Sequence, residues 1–360
     1  MRVGMVCPYS LTIPGGVQMQ VLGLAAALRA DGHTVQVLAP CDGPPPEEHV
    51  VALGKSIPFA TNGSVAPIAP DPSCARRTIR ALREGKFDVV HLHEPLVPGP
   101  AMTSLLYSDV PMVGTFHRSG ASRAYNLFSA ITRRVGRRLA ARVAVSEDAF
   151  KTARDGIDGE FTILFNGIDI DRFATAEPWA TDNRPTVLFV GRHEPRKGLE
   201  VLLEASRSLP ADVAIWIAGQ GPETEALRAR HRGDERMQWL GRVADDELAR
   251  RLAGADVFCA PSRHGESFGV VLVEAMAAGT AIVASDIAGY RTVARRGEHA
   301  LLVPPDDPTA LAAAITRLLD DPAARSALID AGRARAAEFA MSTLAARYTE
   351  LYDHVITQQQ

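Results

Sequence analysis

The chain has 360 residues, long for one domain and comfortable for two. Its 46% hydrophobic and 22% charged residues exclude a disordered chain, and no apolar run of about 18 residues is available to span a membrane. The net charge of −3 hides an asymmetry: residues 1–142 carry 15 basic and 9 acidic residues against 24 and 33 in the remainder, so the N-terminal part predicts a surface that meets something anionic.

The chain opens on a strand, "RVGMVC", rather than on a signal peptide, and continues with a helix, "GGVQMQVLGLAAALRADGH", and a second strand, "TVQVLAP". Cys7, Cys41, Cys74 and Cys259 match no metal spacing and read as free thiols of a reducing compartment, so a cytoplasmic location is expected. "SCARRTIRALREGKF" predicts a basic amphipathic helix with Arg76, Arg80 and Arg83 on one face around Ile79 and Leu82. Apolar runs "FDVVHLH", "PMVGTFH" and "ARVAVS" follow, with a second arginine-rich run, "ITRRVGRRLAARVAV", overlapping the last of them. A polar, proline-containing segment (174–185) then interrupts the pattern, which restarts as "TVLFVGR", a helix to Leu209, "VAIWIAGQG", "MQWLG" and "DVFCAPS" with helices between. Strands alternating with helices predict parallel sheets covered on both faces, and the restart predicts two such domains. The expected division is 1–170 and 171–339, with a C-terminal helix of about 340–360 returning to the first domain.

Ligands of open parallel sheets bind at the carboxyl ends of the strands, and polar residues gather there. Gly15 and Gly16 follow the first strand, His91, His93 and Glu94 the "FDVV" strand, and His117 the "MVGTF" strand. Gly191 and Arg192 follow "TVLFV", and Gly219 and Gly221 follow "AIWIA". His91 and His93 are expected on opposite faces, which favours a structural role over a shared metal. "RHGESFGVVLVEAMAAGTAIVASD" (263–286) reads as a loop, a buried helix over Phe268–Ala278, a stop at Gly279 and a strand from Ala281. It holds Glu266 and Glu274, and a carboxylate inside an apolar helix is costly unless hydrogen-bonded. On one helix the two would stand about 12 Å apart, too far to share a glycosidic bond but suited to gripping both ends of an extended ligand. The helix N-terminus around Phe268–Val270 would hold an anion between them, with Arg192 and Lys197 of "GRHEPRKG" as countercharge.

The E-x7-E pair Glu266 and Glu274, with "GRHEPRKG", "FNGID" and "GGVQ", resembles the retaining glycosyltransferases of the GT-B fold. Within them, "CPYS…PGGVQ", "NGSVA", "HLHEP", "TFH" and "GESFGVVLVEAMAAGTAIVASD" are similar to the actinobacterial phosphatidylinositol mannosyltransferases nearly end to end. The resemblance implies two Rossmann-like domains facing a cleft. It implies transfer of mannose from GDP-mannose to a phosphatidyl-myo-inositol-type lipid on the inner face of the membrane. His117, Glu266, Arg192 and Lys197 would be catalytic. Gly16, Arg192, Lys197, Asp245, Glu266, Ser267, Phe268, Gly269, Val270 and Glu274 would hold the nucleotide sugar, with Glu266 on the sugar, Glu274 on the ribose and Asp245 on guanine. Tyr9, Gln18, Asn62, Ser64, Arg76, Arg77, Arg80 and Arg123 would serve the acceptor and the anionic membrane. No cofactor is expected to be tightly bound, with Mg2+ at most a stimulant, and a monomer is expected.

"DID" (169–171) resembles the metal-binding D-x-D of the other glycosyltransferase fold but follows "FNG" at the domain crossover, so no metal site is expected. The acceptor side departs from the family pattern: Thr61 stands for a tyrosine, Pro67 for an arginine and Ser122 for a lysine, and "SLTIPGG" lacks an acidic residue. A transferase acting on a soluble cyclitol phosphate or small metabolite is therefore the alternative, and a sugar-nucleotide-binding protein without activity a second. No nucleic-acid motif accompanies the arginines.

Overall fold

The structure is a computed structural model that describes residues 1–61, 64–118, 129–266 and 268–358. Asn62, Ser122, Arg123 and Ser267 lie outside the described residues. The chain forms two compact units, Met1–Gly167 with Met341–Gln360, and Ile168–Ala340.

The first unit contains β1 (Arg2–Val6), β2 (Thr34–Ala39), β3 (Val50–Ala52), β4 (Ile57–Thr61), β5 (Ser64–Ile68), β6 (Val89–His93), β7 (Met112–Phe116), β8 (Ala141–Ala144) and β9 (Thr162–Ile163). Seven of them form one sheet, in the order β3-β2-β1-β6-β7-β8-β9, with every pair parallel. All five residues of β6 and of β7 are buried, polar His91, His93 and Thr115 included, which is why these strands show no apolar–polar alternation. The remaining two strands, β4 and β5, form an antiparallel hairpin that pairs Pro58 with Pro67. The C-terminal helix Met341–Thr357 completes the unit: Leu344, Tyr348, Tyr352 and Val355 share a core with Val3 and Met5 of β1.

The second unit contains β10 (Thr186–Val190), β11 (Ala214–Ala218), β12 (Met237–Gly241), β13 (Val257–Ala260), β14 (Ala281–Ser285) and β15 (Leu301–Val303). Their order, β12-β11-β10-β13-β14-β15, is doubly wound and wholly parallel. In both units the chain winds outward from a middle strand, turns back and winds the other way. The reversal leaves a crevice beside the carboxyl ends of β1 and β6 in the first unit, and of β10 and β13 in the second.

Two helices differ from expectation. The helix expected over Phe268–Ala278 spans Val270–Ala278, because Gly269 has φ of +89° and breaks the helical path. The helix expected to reach Leu209 ends at Ala205 and tightens into a 3-10 turn over Ser206–Ser208.

The basic helix Pro72–Gly85 is capped by Asp71, whose carboxylate accepts from the Ser73 and Cys74 amides, and it buries Cys74 and Thr78. Its arginines divide by use. Arg77 donates to the Leu53 carbonyl at 2.5 Å and to Ser73 Oγ at 3.1 Å, so it ties the helix to the sheet. Arg80 pairs with Glu84 one turn on, at 2.8 Å. Arg76, Ile79, Arg80, Arg83 and Glu84 line an open groove of about 350 Å3. In the second arginine run, Arg138 donates to the carbonyls of Leu105 and Ser108, both at 2.8 Å, and Arg142 to that of Gly136 at 3.0 Å. Those cations are spent on backbone.

The Tyr352 hydroxyl bonds His91 Nδ1 at 2.6 Å in the buried interior of the first unit. Replacing Tyr352 with Phe strands that nitrogen, and thermal or chemical denaturation should show a loss of about 1–3 kcal/mol. A variant as stable as the wild type would mean that the hydroxyl contributes nothing to docking the C-terminal helix.

Candidate active site

At the crevice of the second unit, the segment after β10 runs from Gly191 to a 3-10 turn at Pro195–Lys197. This turn aims two cations at the segment after β13. Lys197 Nζ donates to Glu266 Oε1 at 2.6 Å, and Arg196 Nη1 and Ser262 Oγ each reach the same oxygen at 3.3 Å. Ser262 is held in turn by the Tyr290 hydroxyl at 2.8 Å. Glu266 therefore lies in the loop, not on the helix, and the 12 Å separation expected for a shared helix does not apply. Lys197, read from the sequence as countercharge for an anion, is here the ion-pair partner of Glu266. Arg192 is exposed, with its closest carboxylate, Glu194, at 3.9 Å.

Beyond Glu266 the helix Val270–Ala278 begins without a side-chain cap. The first N–H groups of a helix have no intrahelical acceptor, so this end presents donors and the positive end of the helix dipole. A side chain at Gly269 would collide with the Tyr290 ring at 2.8 Å, so both its space and its positive φ require glycine. Phe268 is buried against Phe339, with ring centroids 5.3 Å apart, which leaves only its backbone for a ligand. Val270 is 40% exposed.

Glu274 sits in the second turn of the same helix and has no hydrogen bond or ion pair among the described residues. Burial pushes its carboxyl up to about 7, with the Asp245 charge adding to the rise and the Arg172 guanidinium opposing it. Asp245 opens the helix Asp245–Gly254, is 83% exposed, and lies 3.5 Å from Arg172 Nη1. Arg172 Nε is buried without a partner, and the guanidinium covers the Phe173 ring at 4.7 Å. Arg172 thus organises two residues that the sequence reading singled out, without having been singled out itself.

A further cavity of about 370 Å3 lies beside the ends of β11 and β12, lined among others by His193, Gln220, Thr224, Trp239 and Gly241. It exists because the turn after β11 packs backbone to backbone on the segment after β10. A side chain at Gly219, where φ is +120°, would stand 1.9 Å from the Gly191 carbonyl oxygen.

In the first unit, Gly16 opens the helix Gly16–Ala30, whose N-terminus also lacks a side-chain cap, and a side chain there would meet nothing within 4 Å. The Gln18 amide donates to the carbonyls of Ser10 at 3.4 Å and Ile13 at 3.1 Å, so it holds its own loop. Tyr9 is bridged to Ile68 of β5, on whose strand Ser64 also lies, and its phenol is pushed up by burial first and by Glu94 second. Glu94 is buried, with φ of +48°, and its Oε1 accepts from the backbone amides of His117 at 2.6 Å and Arg118 at 2.7 Å. Burial pushes the Glu94 carboxyl up, and those two N–H groups oppose the rise.

His117 Nε2 is 2.9 Å from His93 Nδ1, and burial pushes the His117 imidazole down to about 4 against a bond from Asn166. The expectation that His91 and His93 point apart is wrong. Two residues apart in a strand they share a face, and their rings stack at 4.3 Å. No group of three or more potential metal ligands occurs among the described residues. Sequence reading quoted Glu94, Asn166 and Arg196 inside motifs without assigning them roles. Their partners are backbone amides, a ring and a carboxylate brought close only by the fold.

The family models "Glycosyltransferase Family 4" and "Glycosyl transferases group 1" match residues 14–172 and 184–321. The chain is 42% identical to the phosphatidyl-myo-inositol mannosyltransferase of Mycobacterium leprae, over 99% of this chain and 98% of that one. It is 41% identical to the protein of the same name from Mycolicibacterium smegmatis, over 99% and 94%. Among solved structures it is similar to Anabaena HepE in complex with UDP, with a TM-score of 0.75 and 20% identity, covering 98% of this chain and 100% of that one. The chain is a glycosyltransferase of the GT-B fold and belongs to the phosphatidyl-myo-inositol mannosyltransferase family.

Proposed function

We propose that the protein transfers mannose from GDP-mannose, with retention of configuration, to a phosphatidyl-myo-inositol-type lipid, working as a monomer on the inner face of the membrane. The observation that carries the reading is the donor end of the second unit: an uncapped helix N-terminus beside the Lys197–Glu266 pair and an exposed Arg192. That set suits a diphosphate flanked by two hydroxyl-bearing sugars. The Val270 end and Arg192 bind the diphosphate, Glu266 the mannose hydroxyls, Glu274 the ribose and Asp245 the guanine edge. His117 serves the transfer as well.

In the transfer, the bond between the anomeric carbon and the diphosphate breaks and the acceptor hydroxyl bonds from the same face. The departing diphosphate oxygen takes that hydroxyl's proton. No covalent enzyme intermediate is required, so the protein's task is to stabilise charge on the leaving group and on the oxocarbenium-like carbon. For the lipid, Arg76, Arg80 and Arg83 around Ile79 give a cationic helix face, and no helix among the described residues is long and apolar enough to cross a bilayer.

Arg192→Ala should weaken GDP binding by about 1.5–3 kcal/mol in calorimetry, the worth of a charge-assisted hydrogen bond. Unchanged affinity would remove Arg192 from the diphosphate site.

The Glu274 carboxyl, raised to about 7, predicts a pH signature. An ionised carboxylate accepts ribose hydroxyls more strongly, so wild-type affinity for GDP-mannose, whose diphosphate does not titrate there, should climb between pH 6 and 8 while Glu274→Gln stays flat. In the ligand-free protein the sign is opposite. The stability gained from the neutral acid is complete below the ordinary carboxyl value and is lost as pH rises through about 7, so Glu274→Gln should gain on the wild type as pH increases.

Binding to vesicles containing acidic phospholipid should fall as salt shortens the Debye length from about 10 Å at 0.1 M to about 3 Å at 1 M. Replacing Arg76, Arg80 and Arg83 together should abolish it while sparing donor hydrolysis in solution. A wild-type protein that ignores acidic vesicles at low salt and glycosylates a soluble cyclitol phosphate would overturn the lipid assignment.

A further inference from the structure

Three imidazoles stand in a row at the carboxyl edge of the first unit's sheet. His91 and His93 stack at 4.3 Å, and His93 and His117 at 5.1 Å. His91 is satisfied at both nitrogens, by the Tyr352 hydroxyl at 2.6 Å and by Thr115 Oγ1 at 2.7 Å. His93 is not: its Nδ1 meets His117 Nε2 at 2.9 Å, while its Nε2 is buried with no partner. All three rings are pushed well below the ordinary imidazole value, chiefly by burial, so each carries one hydrogen.

One hydrogen therefore lies between His93 and His117, and the vacant nitrogen decides which ring owns it. Were His117 the donor, the His93 hydrogen would sit on Nε2 as a buried donor without an acceptor, the arrangement that folded proteins avoid most. With His93 as donor, only a lone pair is left unmet. The His117 hydrogen then falls on Nδ1.

We propose that His93 is a positioning residue: it donates from Nδ1 to His117 Nε2 and fixes His117 as the neutral Nδ1–H tautomer, leaving no ring lone pair free to take a proton. The backbone N–H of His117 is already committed to Glu94. The side chain thus does not act as a base, and removal of the acceptor's proton during turnover is left to the donor diphosphate. The effect on turnover rests on the function proposed above, whereas the tautomer is a property of the free protein. The titratable and charged groups around His117 are His91 and His93 on β6, Glu94 beyond it, Tyr9 after β1 and the neighbouring Arg118, with Tyr348 and Tyr352 of the C-terminal helix next to His91.

The test is a long-range proton–nitrogen correlation spectrum of the ligand-free, 15N-histidine-labelled chain, with signals assigned by single His→Gln replacements. The expected wild-type spectrum shows His117 protonated at Nδ1, bare at Nε2, and untitrated until about pH 4. His93→Phe removes the donor that holds Nε2, so His117 should show both the Nδ1–H and Nε2–H forms, while the burial that keeps its transition low remains. His93→Gln keeps a donor and should retain the wild-type tautomer. A wild-type His117 protonated at Nε2 overturns the proposal. So does a His93→Phe protein whose His117 keeps the single Nδ1–H form, or a His93→Gln protein that loses it. If His93→Phe fails to fold, the wild-type spectrum alone decides, and it does so even for a chain inactive with every donor tried.

Discussion

Parallel strands force direction on everything attached to them. When every strand of a sheet points one way, every following helix begins at the same edge, so unpaired N–H groups and helix dipoles accumulate there with a single sign. The two reversals of winding, at β1/β6 and β10/β13, open that edge into crevices. Gly15–Gly16 and Gly269 leave the N–H groups at that edge uncapped, because each starts a helix without a side chain that could cap it. Glu266, Lys197, Glu94 and His117 all lie at such edges. Their roles follow from the winding more than from their immediate neighbours in sequence.

The carboxylates show how local surroundings then diversify one functional group. Glu266 receives three side-chain donors on one oxygen, and Glu94 receives two backbone amides. Glu274 receives none among the described residues and answers to Arg172 and Asp245 only through space. The first is held in place by charged and hydroxyl side chains from two loops. The second is structural, fixing the backbone on which His117 rides. The third is a group whose protonation is set near neutrality.

The alternation of apolar runs and helices, the restart after residue 185 and the glycine turns were legible in the sequence because each depends on residues close in the chain. The helix start was misread because the hydrophobic pattern runs on through Phe268, while the positive φ of Gly269 decides the boundary. Arginine counts on the basic runs did not foretell use. Arg77 and Arg138 hold carbonyls 24 and 33 positions away, whereas Arg76 and Arg83 line an open groove. Arg172 escaped notice because its contact with Asp245 spans 73 positions, a distance over which no local pattern operates. The stacking of His91 on His93 was legible after all from the two-residue period of a strand, and it was the period that had been misapplied.

The return of the C-terminal helix to the first unit has a consequence for biosynthesis. Domains usually fold in order of emergence from the ribosome. Here the first half to emerge lacks Leu344, Tyr348, Tyr352 and Val355, so β1 and the first helix must wait for the last twenty residues to be released. The second unit, contiguous from Ile168 to Ala340, is complete while its predecessor is still unfinished. The core of the first unit is thus completed by a segment that follows the whole second unit in the chain.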